Sequence, residues 1–166
     1  MNIQRLFLLL FITFGLQFSF AQKANSDQEK INKVLDDLNE YAAKAEYQLY
    51  FNLFDQESTY IGTDATEIWS KNDFMVWAKP FFEKKRTWNF KSVKRNIHFI
   101  KGSQIAYFDE LLDTQMKICR GSGVLEKIKG EWKIKQYVLS MTIPNEVTKK
   151  VVAEKSDIET ELLQKL

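Results

Sequence analysis

Few side chains in this sequence are of a type that does chemistry, and their spacing narrows what that chemistry is. Glu110, with Asp109 beside it, offers a carboxylate able to take a proton or anchor a ligand. Arg120 offers a planar guanidinium that can grip an acidic group through two hydrogen bonds. Tyr47, Tyr50, Tyr60, Trp69 and Trp77 supply flat rings, which wall small-ligand pockets and fill cores with equal ease. Gln136 and Ser140 add neutral polar groups near the end of the last β-patterned run. The one histidine, His98, lies between Ile97 and Phe99, so alternation turns it away from those two apolar neighbours.

Other chemistries lack their parts. One His and one Cys cannot assemble a zinc set, and the acidic residues do not follow a calcium-loop spacing, so no metal is expected. Gly121-Ser122-Gly123 is too short for a phosphate loop and marks a bulge or a close backbone approach instead. Neither a nucleophilic triad nor a dinucleotide fingerprint is present, and no cofactor is expected. A net charge of only +2 gives no general attraction to nucleic acid or anionic lipid. Cys119 has no second cysteine to pair with, which leaves stability to packing.

The elements that must position these residues begin after a leader. Arg5, the apolar run Leu6 to Phe14, and Ser19-Phe20-Ala21 before Gln22 read as a secretory signal peptide over 1–21. Its apolar run is too short to span a bilayer, so the mature protein is expected to be exported, to periplasm or medium, without stable membrane insertion. Residues 22–27 read as a flexible linker, and Ser26 or Asp27 can cap a long helix carrying Ile31, Val34, Leu35, Leu38, Tyr41, Ala42, Ala45 and Leu49. That helix, or a second short one, is predicted to end near Asp55-Gln56-Glu57. A short strand at Ser58 to Ile61 follows. Ser70 can cap a further helix through Phe74, Met75, Trp77, Ala78, Phe81 and Phe82, which bends or stops near Pro80.

From Thr87 the pattern becomes that of strands. Trp88 to Ile100, Gln104 to Leu112, Met116 to Lys129 and Glu131 to Ile143 are joined by short turns, which makes an antiparallel meander. Pro144 closes the last strand, and 145–166 read as an amphipathic helix with Val147, Val151, Ile158, Leu162 and Leu166 in one stripe. This helix can pack on the sheet, join a partner helix, or fray.

Three stretches carry a resemblance. They are Tyr50 to Asp64, Glu67-Ile68-Trp69-Ser70, and Gly121 to Lys135 with its turn glycine followed by Trp132-Lys133-Ile134; Ser140 near the end of the last strand adds to them. Together they resemble the SnoaL-like branch of the nuclear transport factor 2-like superfamily, over residues 28–144. The resemblance implies an α+β fold, a cone with N-terminal helices packed on a curved antiparallel sheet, here followed by the C-terminal helix. Its members include isomerases, cyclases, dehydratases and assembly domains, so fold alone assigns no reaction. Where related chains often carry a histidine, two residues before Ser140, this one has Val138.

The resemblance also implies which face is concave. Alternation groups Trp132, Ile134, Gln136, Val138 and Ser140 on one side of the last strand, and the resemblance makes that side the pocket. Neighbouring strands then contribute Ala106, Phe108 and Glu110, and Arg120, Ser122 and Val124. The expected ligand contacts are Tyr60, Trp69, Glu110, Arg120, Gln136 and Ser140, with Glu110 or Asp109 as the weak catalytic candidates. Glu110 and Arg120 could equally form a cross-strand salt bridge, and the aromatic residues could be core. The leading expectation is binding of a small organic molecule, apolar or acidic. The rivals are a cofactor-independent isomerase, lyase or hydrolase using a pocket carboxylate, and a dimeric interaction or assembly module. A homodimer is expected, through Tyr137, Leu139 and Met141 on the opposite face.

Overall fold

The computed structural model describes residues 26–166. The expected leader and residues 22–25 of the expected linker lie outside the described residues. The first helix, α1, covers 26–43 of the described chain, with Ile31, Leu35, Leu38 and Ala42 buried at a spacing of three and four. Asp27, considered above as a cap, accepts from Lys127 Nζ at 2.6 Å and Trp132 Nε1 at 3.3 Å, tying α1 to the sheet. A break follows at Ala45, whose φ of 56° cannot continue a right-handed helix. A six-residue helix, α2 (Tyr47–Asn52), then feeds β1 (Phe54–Ile61).

β2 (Ile68–Ser70) pairs antiparallel with β1 and runs directly into α3 (Lys71–Glu83). Ser70 caps α3 as its sequence implies, its Oγ accepting from the Asp73 backbone N–H at 3.2 Å. Pro80 does not stop this helix, which runs on to Glu83. Phe74, Ala78 and Phe82 are its buried ridge.

The meander follows as β3 (Lys91–Phe99), β4 (Ile105–Thr114), β5 (Lys117–Ile128) and β6 (Glu131–Met141), each antiparallel to the next. β1 joins this sheet parallel to β6, giving the order β2-β1-β6-β5-β4-β3. Helices lie on its concave side, the α+β architecture of a cone closed by one curved sheet. A short 3₁₀ turn (Asn145–Val147) leads to α4 (Thr148–Leu163), in which no residue is buried. Among the described residues no helix is long and apolar enough to cross a membrane.

One irregularity decides which residues face the core. Val124 pairs with Gln136 and Leu125 with Ile134, so Lys135 is an extra residue in β6. It reaches across to β1, where its Nζ lies 2.7 Å from Asp55 Oδ1. Beyond this bulge the alternation inverts. Trp132 and Ile134 face the core before it, and Tyr137 and Leu139 face the core after it. The expected placement of Gln136, Val138 and Ser140 on the concave face is therefore corrected: they turn to the convex side. Tyr137 and Leu139, expected there as an apolar dimer patch, are buried instead.

On β5 the buried set is Cys119, Gly121, Gly123 and Leu125, which likewise places Arg120, Ser122 and Val124 outward. β4 follows the expected parity throughout, with Ala106, Phe108 and Glu110 buried, and β6 follows it as far as Ile134. His98 is exposed and stacks on Tyr107 with ring centroids 5.0 Å apart, as its position between two apolar residues implies.

Candidate functional site

Two small residues on β5 let large neighbours cross the concave face. The rows of the sheet place Arg95 opposite Glu110, Glu110 opposite Gly121, and Gly121 opposite Leu139. Phe108, Gly123 and Tyr137 form the adjacent row. With no side chain of its own, β5 leaves the space over Gly121 to two polar ends. A Cβ there would stand 2.6 Å from Tyr137 Oη and 3.3 Å from Glu110 Oε1.

Glu110 is fully buried and is held from one side only. Its Oε2 accepts from Ser92 Oγ at 2.9 Å and Arg95 Nε at 2.9 Å, and Arg95 Nη2 lies 2.8 Å away. Arg95 in turn donates through Nη1 to the Asn32 carbonyl, Asn32 Oδ1 and Asp36 Oδ1, so it bolts α1 to the sheet. The partner of Glu110 is thus Arg95 on β3, not Arg120. Glu110 Oε1 and Tyr137 Oη, by contrast, have no hydrogen-bond partner among the described residues. Burial pushes the Glu110 carboxyl above its ordinary value, and the Arg95 charge and Ser92 hydroxyl pull it part of the way back. Burial, and next the charge of Glu110, raise the Tyr137 phenol as well.

A cavity of about 150 Å³ opens beside this row, between the β1–β2 loop, α3, the Trp88–Phe90 segment and the β4–β5 turn. Its walls are Tyr60, Trp69, Phe74, Trp77, Trp88, Phe90, Met116 and Leu139, and its polar groups are Thr63, Glu67 and Gln115. The rings are ordered. Tyr60 lies between Phe74, stacked at 4.0 Å, and Tyr137, stacked at 5.5 Å, and Trp69 stacks on Trp77 at 4.9 Å. Leu139 belongs both to the cavity wall and to the row containing Gly121, so the cavity floor stands one strand from the buried carboxyl–phenol pair.

Of the residues expected at the site, Tyr60 and Trp69 line the cavity, and Glu110 lies behind its floor. Arg120 and Ser140 are exposed on the convex face, and Gln136 is half-buried there. Asp109 also faces outward, its Oδ1 accepting from Asn96 Nδ2 at 3.2 Å. Tyr50 is core, packed against Phe51 and Phe82, while Tyr47 donates to the Met75 carbonyl. Trp77, weighed as core, is 40 % exposed at the cavity rim. Sequence reasoning missed Arg95, Ser92 and Tyr137. Arg95 shares a parity with Ile97 and Phe99, and that was the available signal.

The SnoaL-like domain family matches residues 31–144. No curated protein matches the sequence. Among solved structures, an NTF2-like protein of unknown function from Pseudomonas putida KT2440 superposes with a TM-score of 0.61 at 10 % identity, covering 74 % of this chain and 92 % of that one. A protein of the NTF2-like family from Streptomyces avermitilis, bearing a provisional dehydratase name, gives 0.63 at 8 % identity over 73 % and 99 %. The association domain of C. elegans CaMKII gives 0.59 at 18 % identity over 70 % and 97 %. At such identities the likeness is one of fold.

Proposed function

We propose that this chain, which belongs to the SnoaL-like domain family and has the nuclear transport factor 2-like fold, is an exported binding protein for a small, flat, mainly apolar molecule. The observation that carries the reading is the ring-walled cavity between β1, α3 and the Trp88–Phe90 segment. A cavity of that volume is the size that takes a single-ring molecule such as benzene. The acidic-ligand version of the expectation loses its support. Arg120 is on the convex face, Arg95 is engaged with Glu110 and Asp36, and the acidic group among the cavity residues is Glu67.

Titration with benzyl alcohol, followed by the indole N–H resonances, tests this. Trp69 and Trp77 are expected to shift, and Trp69→Ala to weaken binding about tenfold, equivalent to ~1.4 kcal/mol. Unmoved tryptophan resonances at millimolar benzyl alcohol would sink the reading. Export rests on Arg5, the apolar run to Phe14, and Ala21 before Gln22. An intact mass from cell-envelope fractions that still includes residues 1–21 would contradict it. A homodimer is part of the same proposal.

A second reading is favoured by one observation, the unpartnered Glu110 Oε1 and Tyr137 Oη over Gly121. A carboxyl with a raised pKa beside a phenol can move a proton and steady an oxyanion, which suits a cofactor-independent isomerase, lyase or hydrolase. Because a buried hydroxyl without a partner costs about 1–3 kcal/mol, Tyr137→Phe is expected to leave the urea midpoint unchanged or higher. A clear fall in that midpoint would mean the hydroxyl is already satisfied, and the argument for a waiting donor would lapse.

A further inference from the structure

Among the described residues, the helix α4 is formed but has no surface that buries it. None of its residues is buried, and Val152, Ile158 and Leu163 are 56 %, 72 % and 72 % exposed. A 16-residue helix is at the length where isolated helices are marginal in water, so an apolar face left open on it points to a missing surface. At 100° per residue, Val151, Val152, Ile158, Leu162 and Leu163 fall within one half of the circumference. Lys155 and Glu159 sit in the middle of that half, 2.5 Å apart.

The charges of α4 identify the occupant. The helix carries no acidic residue in its first turn and no basic residue in its last; Lys149 and Lys150 lie near its start and Glu159 and Glu161 near its end. This order runs against the helix dipole, which favours the reverse. An antiparallel helix of the same sequence removes the conflict, because its acidic end lies beside the basic start. It also sets each Lys155 beside the other copy's Glu159, so that the charged pair in the apolar face fixes register twice over.

We propose that α4 pairs antiparallel with α4 of a second copy of this chain, with Ile158 and Leu162 in the seam and two reciprocal Lys155–Glu159 contacts across it. This interface is independent of the cavity reading. It is a different surface from the sheet face, where Tyr137 and Leu139 are buried and Met141 is exposed.

The test is the mass of the purified protein by light scattering, from about 1 to 100 μM, a range in which a micromolar dimer dissociates on dilution. Two copies are expected for the wild type and one each for Lys155→Glu, Glu159→Lys and Ile158→Glu, with the near-UV signal of the aromatic core unchanged. An equimolar mixture of Lys155→Glu and Glu159→Lys is expected to regain two copies. A wild type that stays single at 100 μM overturns the proposal. So does a dimer that persists in Lys155→Glu and Ile158→Glu, or a mixture that fails to recover.

Discussion

Arg95→Met is expected to destabilise the fold by about 3–5 kcal/mol in urea unfolding, because it leaves the Glu110 carboxylate buried without its cation. It also removes the contacts of Nη1 with Asn32 and Asp36, so α1 loses its tie to β3. The effect should depend on pH in a definite direction. Burial already raises the Glu110 carboxyl above 4.5, so the folded chain holds this proton more firmly than the unfolded one. Its contribution to stability is therefore present in acid and declines as pH climbs through the raised value. Removing Arg95 takes away the opposing pull and raises that value further, so the cost of Arg95→Met should grow from mildly acidic to neutral pH. Arg95→Met combined with Glu110→Leu should recover most of the loss, since an apolar pair of similar volume often replaces a buried ion pair without penalty. A single variant costing under 1 kcal/mol at neutral pH would mean that solvent reaches Glu110.

Much of the scaffold was legible because its signals are local. Ser70 three residues before Asp73 marks the start of α3, and Lys129-Gly130, with φ of 51° and 90°, is the left-handed pair that a two-residue hairpin turn demands. The meander follows from such turns. Pairing between distant segments leaves no local mark, and the parallel contact of β1 with β6, through Thr59, Tyr60 and Ile61, was not expected for that reason. Nor was the pairing of Glu110 with Arg95, which depends on the register of β3 against β4.

The bulge at Lys135 is an intermediate case. Strict alternation sends Gln136, Val138 and Ser140 inward, yet the apolar residues of this strand change parity after Ile134, resuming at Tyr137 and Leu139. Two adjacent polar residues, Lys135-Gln136, mark the place where that happens. Following the apolar residues instead of the count would have turned Arg120, its cross-strand partner Ser140, and the proposed acid clamp to the outside. The structure thus puts Tyr60 and Trp69 on the cavity and Glu110 inward, and turns Arg120, Gln136 and Ser140 outward.

The same bulge makes Gly123 a position that tolerates no side chain. Its Cβ would fall inside contact distance of the Gln136 carbonyl oxygen and 2.9 Å from Phe108 Cε1. The obstacle is backbone, held where it is because Lys135 adds a residue to β6, so relief requires moving the bulge itself. Gly123→Ala is accordingly expected to cost about 3 kcal/mol or more, at the upper end of overpacking penalties. Gly121→Ala meets the end of the Tyr137 side chain at 2.6 Å and Glu110 Cγ at 3.1 Å, groups that can shift by rotation, and should cost about 1–2 kcal/mol. Ser122→Ala, between them but outward, should stay within ~0.5 kcal/mol. The measurement is the urea midpoint of the three variants side by side. Equal losses at 121 and 123 would mean that the Gln136 carbonyl yields as readily as the Tyr137 and Glu110 side chains. The predicted order, 123 above 121 above 122, follows from a backbone obstacle at 123, side chains that can rotate at 121 and the outward position of 122.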